Sequence, residues 1–283
     1  MAAPMHISDI LVALTQEGQE SEPSDAIGYG LSLASAAKAH LTIQSASLRM
    51  FVEFAWISEF ADGGVARENH RLDILAEAVA DKARGDAVQY GVACTTETPH
   101  LGYPEIIATL AARSRLHDLT ILDAEIHTVD PDRELIEAVL FYSGRPLIVV
   151  PPGRAAFAGR RILIGWDGSA QAARAVNDAL PFLRSSEAVE LVSVVGEKDL
   201  SQSVAGAEFA PHLARHGVPV TVTVLPVARE GDVAATLRDH AALTGADMIV
   251  IGAFRHSRIR EWLVGGVTQS LLKQCPIPLF LAH

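Results

Sequence analysis

The chain has 283 residues, a formal net charge of −11, and a composition that is 49% hydrophobic but only 6% aromatic. At roughly 100–200 residues per domain, this length favours two domains. The acidic balance argues against broad nucleic-acid binding, because such a surface repels phosphate backbones. Ala, Val, Leu and Ile supply most of the apolar mass, which suits buried parallel strands under Ala-rich helices. The two cysteines, Cys94 and Cys275, form no CxxC pair and no metal-ligand spacing, so a reduced, cytoplasmic setting is expected. Met1 to Ile10 carries Asp9 and no long apolar stretch, so it does not resemble a signal peptide. No run of about 18 apolar residues offers a membrane span.

In chain order, Ile10–Leu14 predicts a first strand, and Pro23–Lys38 a helix after a Ser/Glu/Pro-rich loop. Leu41–Ser47 predicts a second strand. The segment Arg49–Gly91 mixes aromatics and then takes a helical pattern from about His70. Strands at Val92–Glu97, Asp118–Asp123 and Pro146–Pro151 alternate with helices at Pro104–Leu116 and Glu134–Tyr142. Residues 153–159 follow as a linker between a first domain, 1–152, and a second, 160–283. The second domain restarts the alternation. Strands are expected at Arg161–Trp166, Val189–Val195, Pro219–Leu225, Asp247–Ile251 and Ile277–Ala282. Helices are expected at Ser169–Leu183, Ser201–His216, Gly231–Leu243 and Glu261–Gln274. Such alternation means βαβ crossovers, hence two Rossmann-like α/β domains, each a five-stranded, mostly parallel sheet with helices on both faces.

The halves repeat one another. Ile107-Ala-Thr-Leu110 corresponds to Ala234-Ala-Thr-Leu237, Asp118–Leu122 to Asp247–Ile251, and Arg145–Val150 to Ile277–Ala282. Three matches in the same order indicate duplication of a whole domain.

Open α/β sheets bind ligands at the carboxyl ends of their strands. Two such ends in the second half stand out. Trp166-Asp167-Gly168-Ser169 is a strand end, a turn and a helix cap, although a plain βα turn has the same form. Gly252 to Thr268 joins glycines at a strand end and before a helix, where backbone N–H groups can face an anion. Arg255, His256, Arg258 and Arg260 make it the most basic stretch of the chain; a solvated loop is the alternative.

On these residues the chain resembles a tandem member of the universal stress protein family, most clearly through Ile162–Ser169 and Asp247–Leu281. Nucleotide-binding members of that family carry Gly, two residues, Gly, nine residues, then Gly followed by Ser or Thr. The resemblance implies that Asp167 contacts adenine, and that Gly252 and Gly265 are the first and third glycines, with residues 256–264 as the spacer. Arg255 replaces the second glycine and Gly266 replaces the Ser or Thr, for which Thr268 is a substitute hydroxyl. The implied site is Asp167, Gly168, Val195, Ile251, Gly252, Arg255, Gly265, Gly266, Val267 and Thr268, holding ATP or another adenine nucleotide with Mg²⁺. Arg255 either fills the phosphate position or makes a charge-assisted hydrogen bond to a phosphate. The resemblance also implies that the last strands of the two halves pair as a pseudo-dimer, with a homodimer of chains as a further step.

The first half departs further from the pattern. Its first strand ends Leu14-Thr15-Gln16, and the stretch Asp123–Glu134 has no glycine and five acidic residues. ATP binding in the family's manner is not expected there; a scaffold role or another ligand is. His212 and His216 have a zinc-like spacing without a third ligand. Glu53, Glu59 and Asp62 beside Phe51, Phe54, Trp56 and Phe60 suggest a flap or local packing. No P-loop, GxSxG or HExxH occurs. The functional expectation is a stress-response protein that binds a nucleotide and changes conformation. A nucleotide-free interaction protein and a slow ATPase are the alternatives.

Overall fold

The computed structural model describes residues 5–17, 24–51, 58–124, 132–196, 205–227, 232–253 and 266–283. The first half runs β1 (Asp9–Gln16), α1 (Asp25–Ala37), β2 (His40–Leu48), α2 (Ser58–Tyr90), β3 (Cys94–Glu97), β4 (His100–Leu101), α3 (Tyr103–Ser114), β5 (Leu119–Asp123), α4 (Asp132–Tyr142) and β6 (Leu147–Val150). The second runs β7 (Arg161–Gly165), α5 (Ala170–Asp178), α6 (Leu180–Ser185), β8 (Ala188–Val195), α7 (Gly206–Arg215), β9 (Val220–Pro226), α8 (Val233–Thr244), β10 (Met248–Gly252), α9 (Gly266–Gln274) and β11 (Leu279–Ala282).

All strands join one sheet in the order β3-β2-β1-β5-β6-β11-β10-β7-β8-β9, with β4 beside the end of β2. Every pairing is parallel except the central one, where β6 and β11 run antiparallel with Ile148 opposite Phe280. Each half therefore has its strand-order reversal between the first strand and the fourth main strand: β1/β5 and β7/β10. That reversal opens a crevice at the carboxyl ends of those strands. Because β6 and β11 are antiparallel, the two crevices lie at opposite edges of the sheet.

The strands are apolar on both sides because helices cover both faces. One core, with Ile10, Val12, Leu41, Ile164, Val250 and Phe280, lies under α1, α2, α5, α6 and α7. The other, with Leu11, Leu147, Val149, Leu163, Ile249 and Leu279, lies under α3, α4, α8 and α9. Each core contains residues of both halves, so the β6/β11 junction is buried as deeply as either domain interior.

The duplication extends to polar detail. The Asp118 carboxylate accepts from the Ser8 and Asp9 amides, and Asp247 accepts from the Arg160 and Arg161 amides. These matched clamps make Asp9 the counterpart of Arg161. The segment between the halves is stitched to the first. The Gly153 amide donates to Asp25 and the Phe157 amide to Ser32. The Phe157 ring meets Tyr29 edge-on at 5.7 Å and Phe182 at 6.0 Å, and Phe182 continues to Phe280 at 5.5 Å.

Three elements differ from the sequence expectation. Helix α2 begins at Ser58, well before His70. The helix expected over Ser169–Leu183 is two, α5 and α6. Pro181 lacks an N–H and crowds the carbonyl four residues back, so the ladder breaks at Ala179. The first half also has a sixth, two-residue strand, β4.

Candidate functional site

The second-half crevice is built where β7 and β10 end side by side, with Gly165 opposite Ile251. After β7 the chain turns at Gly168, whose φ of +73° suits a residue without a Cβ. The turn is held locally: Asp167 Oδ1 accepts from the Ser169 amide at 3.1 Å, and Ser169 Oγ accepts from the Ala172 amide at 3.1 Å. Ser169 thus caps α5. Asp167 is half-buried at the carboxyl edge. Behind it, Trp166 is buried and its ring stacks on Phe209 of α7 at 4.2 Å.

Gly252 ends β10 against this helix start. A Cβ there would overlap the Ala172 amide nitrogen and the Gln171 carbonyl carbon, and would stand 2.8 Å from the Gln171 oxygen. The glycine therefore lets β10 approach the first turn of α5 backbone to backbone. Val195 ends β8, next to β7, and is 40% exposed. Ile251 points into the core. Gly266, Val267 and Thr268 open α9, with Gly266 exposed and Thr268 buried. The structure thus brings Asp167, Gly168, Ile251 and Gly252 together at one strand edge, with Val195 one strand away. Arg255 and Gly265 lie outside the described residues, as do His256, Arg258 and Arg260.

The first-half crevice has the same frame and different chemistry. By the matched clamps, Thr15 stands where Asp167 stands and Gln16 where Gly168 does. Asp123 stands where Gly252 does: each ends its strand opposite the final strand, at Val150 and Ala282 respectively. The Asp123 carboxylate accepts from Ser24 Oγ at 2.6 Å and from the Ala26 amide at 2.9 Å. It sits on the N-terminus of α1, where an anionic ligand would otherwise bind. Burial pushes its pKa above the usual carboxylate range. The Ser24 and Ala26 hydrogen bonds oppose that, and the Asp25 charge adds to it. The sequence showed this acidic stretch but not the use of Asp123, because its partners lie almost a hundred residues away.

Elsewhere, His212 and His216 stack edge-on at 4.6 Å in line with Phe209. Among the described residues no group of three His, Cys, Asp or Glu side chains is arranged to hold a metal ion. Nor is any helix among them long and apolar enough to cross a membrane. The aromatic segment 51–60 falls mostly outside the described residues; Phe51 is exposed, with the Arg49 guanidinium 4.8 Å from its ring centroid.

Comparison with known proteins agrees with this fold. The family model for the universal stress protein family matches residues 159–283. No curated protein matches the chain. The structure is similar along its length to that of a universal stress protein from Archaeoglobus fulgidus, with a TM-score of 0.68, 14% identity and 98% of each chain covered. It is also similar to a functionally unknown protein from Pseudomonas aeruginosa, with a TM-score of 0.57, 16% identity, and 98% of this chain and 93% of that one covered. At such identities the structural likeness speaks for the fold. Residues 159–283 therefore form a domain of the universal stress protein family, and the chain as a whole carries that fold twice, in tandem.

Proposed function

We propose that the second half binds an adenine nucleotide with Mg²⁺ at the carboxyl ends of β7 and β10, and that the protein works as a conformational module in a stress response. The supporting observation is the Asp167-Gly168-Ser169 turn set beside Gly252 at the strand-order reversal, inside the segment that matches the family model. Asp167 has one oxygen committed to its own turn, which fixes the carboxylate before any ligand arrives. Such preorganisation lowers the cost of binding. A bound nucleotide alters the surface shown to partners only so far as it binds one arrangement better than another.

Titration calorimetry with ATP and Mg²⁺, with mass spectrometry of small molecules released from the undialysed protein, tests this reading. One nucleotide per chain is expected. Asp167→Ala should weaken it by about 10-fold to 100-fold, the range for a hydrogen bond to a charged group. Absence of both heat and nucleotide would overturn it.

One observation favours a second reading, an interaction protein without a nucleotide. The contact of Gly252 with α5 gives the glycine a structural reason independent of any ligand. Under that reading Arg255 fills the phosphate position, and Arg255→Gly creates ATP binding. A slow ATPase would instead release phosphate above a no-enzyme control, with the activity lost in Asp167→Ala.

A further inference from the structure

The first half buries polar side chains at the carboxyl edge of its sheet. On the face covered by α1 and α2, β1 and β2 begin with Ile10, Val12, Leu41 and Ile43, all buried. Toward the carboxyl edge the same face turns polar, with Gln16 on β1 and Ser45 and Ser47 on β2. Gln16 is directly opposite Ser47, and Leu14 opposite Ser45. Gln16 is 2% exposed, and Ser45 and Ser47 are fully buried. Ser47 is satisfied. Its hydroxyl donates to Asp73 of α2 at 2.5 Å and lies 2.8 Å from His100 Nδ1 of β4. His100 Nδ1 is also 2.8 Å from the Asp73 carboxylate. Gln16 Nε2 and Ser45 Oγ are buried with no hydrogen-bond partner among the described residues.

Two unmade hydrogen bonds on adjacent strands are costly, because a buried donor without a partner forfeits its hydration. They lie at the carboxyl edge, where α/β sheets place ligands. Ser47 also holds the place that Val195 holds in the second half, because Asp9 pairs with His40 as Arg161 pairs with Ala188. Asp73 and His100 are 40% and 26% exposed, so the cluster reaches solvent on their side.

The chemistry of the cluster selects its ligand. Gln16 Nε2 can only donate, and Ser45 Oγ can donate or accept. Asp73 accepts, and with Nδ1 donating to that carboxylate His100 Nε2 is another acceptor. Asp73 here, with Asp123 at the neighbouring strand end, repels phosphate. Hydroxyl groups, which donate and accept at once, match this set.

We propose that the first half binds a small neutral polyhydroxy compound through Gln16, Ser45 and the Asp73–His100 pair, at a site separate from the second-half crevice. Ligand-observed NMR on the full chain with ribose, glucose and myo-inositol as probes, and inorganic phosphate as the anionic control, tests it. The expected result is saturable binding of at least one of the three and none of phosphate. Gln16→Leu/Ser45→Ala should abolish binding while melting no lower than the parent, since two unsatisfied groups are removed. Ser45→Ala alone should weaken binding roughly threefold to tenfold, as for one neutral hydrogen bond. Asp167→Ala should leave it unchanged, which separates this site from the proposed nucleotide site. Binding of none of the probes, equal binding by the double variant, or competition by phosphate would overturn the proposal.

Discussion

The two crevices of this protein share a frame and differ at the strand ends that line them. In the second half the strand ends carry Asp167, Gly168 and Gly252, and Gly252 meets the start of α5 backbone to backbone. In the first half the same places carry Thr15, Gln16 and Asp123, and the Asp123 carboxylate already accepts from Ser24 and the Ala26 amide at the start of α1. Duplication kept the parts that sustain folding: the strand order, the two cores, and the Asp118 and Asp247 clamps. It did not keep the strand ends. The positions that position the sheet and the positions that face a ligand are therefore separable, and a family match in one half does not pass its ligand to the other.

Reciprocal exchange of the two strand-end residues should break this comparison most severely. Gly252→Asp places a Cβ against the α5 backbone, which cannot withdraw without moving the helix. A loss of about 3 kcal/mol is expected in chemical denaturation, at the upper end for overpacking. Asp123→Gly removes two hydrogen bonds at the start of α1, for about 1–2 kcal/mol. Equal effects would mean that the two ends are not packed differently.

Two partly buried carboxylates, one in each half, sharpen the contrast through pH. Burial raises the Asp123 pKa despite its hydrogen bonds. The native state then holds its proton longer than the unfolded state, so this group's contribution to stability falls as pH rises from the ordinary Asp range through the raised value. Glu190 goes the other way. Burial alone would raise it, but hydrogen bonds from Thr223 and His240, with the His240 charge, hold it below the usual range. Its contribution is present above the ordinary Glu value and is lost as pH falls through the lowered one. Melting temperature measured from about pH 3 to pH 7 should therefore favour wild type over Asp123→Asn increasingly on acidification. For Glu190→Gln the wild-type advantage should shrink on acidification. The smallest expected effect is Thr223→Val, which removes one hydrogen bond to Glu190 for about 1 kcal/mol near neutral pH.

Much of the frame is legible in the sequence because it depends on local pattern. Apolar runs such as Ile10–Leu14 and Asp247–Ile251 locate strands, and Ser169 marks a helix start. The start of α2 was hidden because Gly63 and Gly64, poor helix formers, sit inside its first turns. The division of α5 from α6 was available in Pro181. Site chemistry was harder to see where it depends on residues far apart. Asp123 meets Ser24 and the Ala26 amide only because β5 lies beside the start of α1. The Ser47–Asp73–His100 link joins a strand, a helix and a two-residue strand that gives no periodic signal. The signal that could have exposed the first-half cluster was the run Gln44-Ser45-Ala46-Ser47, three polar residues within a buried strand.

The most direct measurement of the central claim is the ATP–Mg²⁺ titration of the whole chain, carried out in parallel on Asp167→Ala and Thr15→Ala. If only the second crevice takes a nucleotide, one site per chain is found, weakened by Asp167→Ala and untouched by Thr15→Ala. Two sites per chain, or a single site that is sensitive to Thr15 and indifferent to Asp167, would contradict the division of roles between the halves.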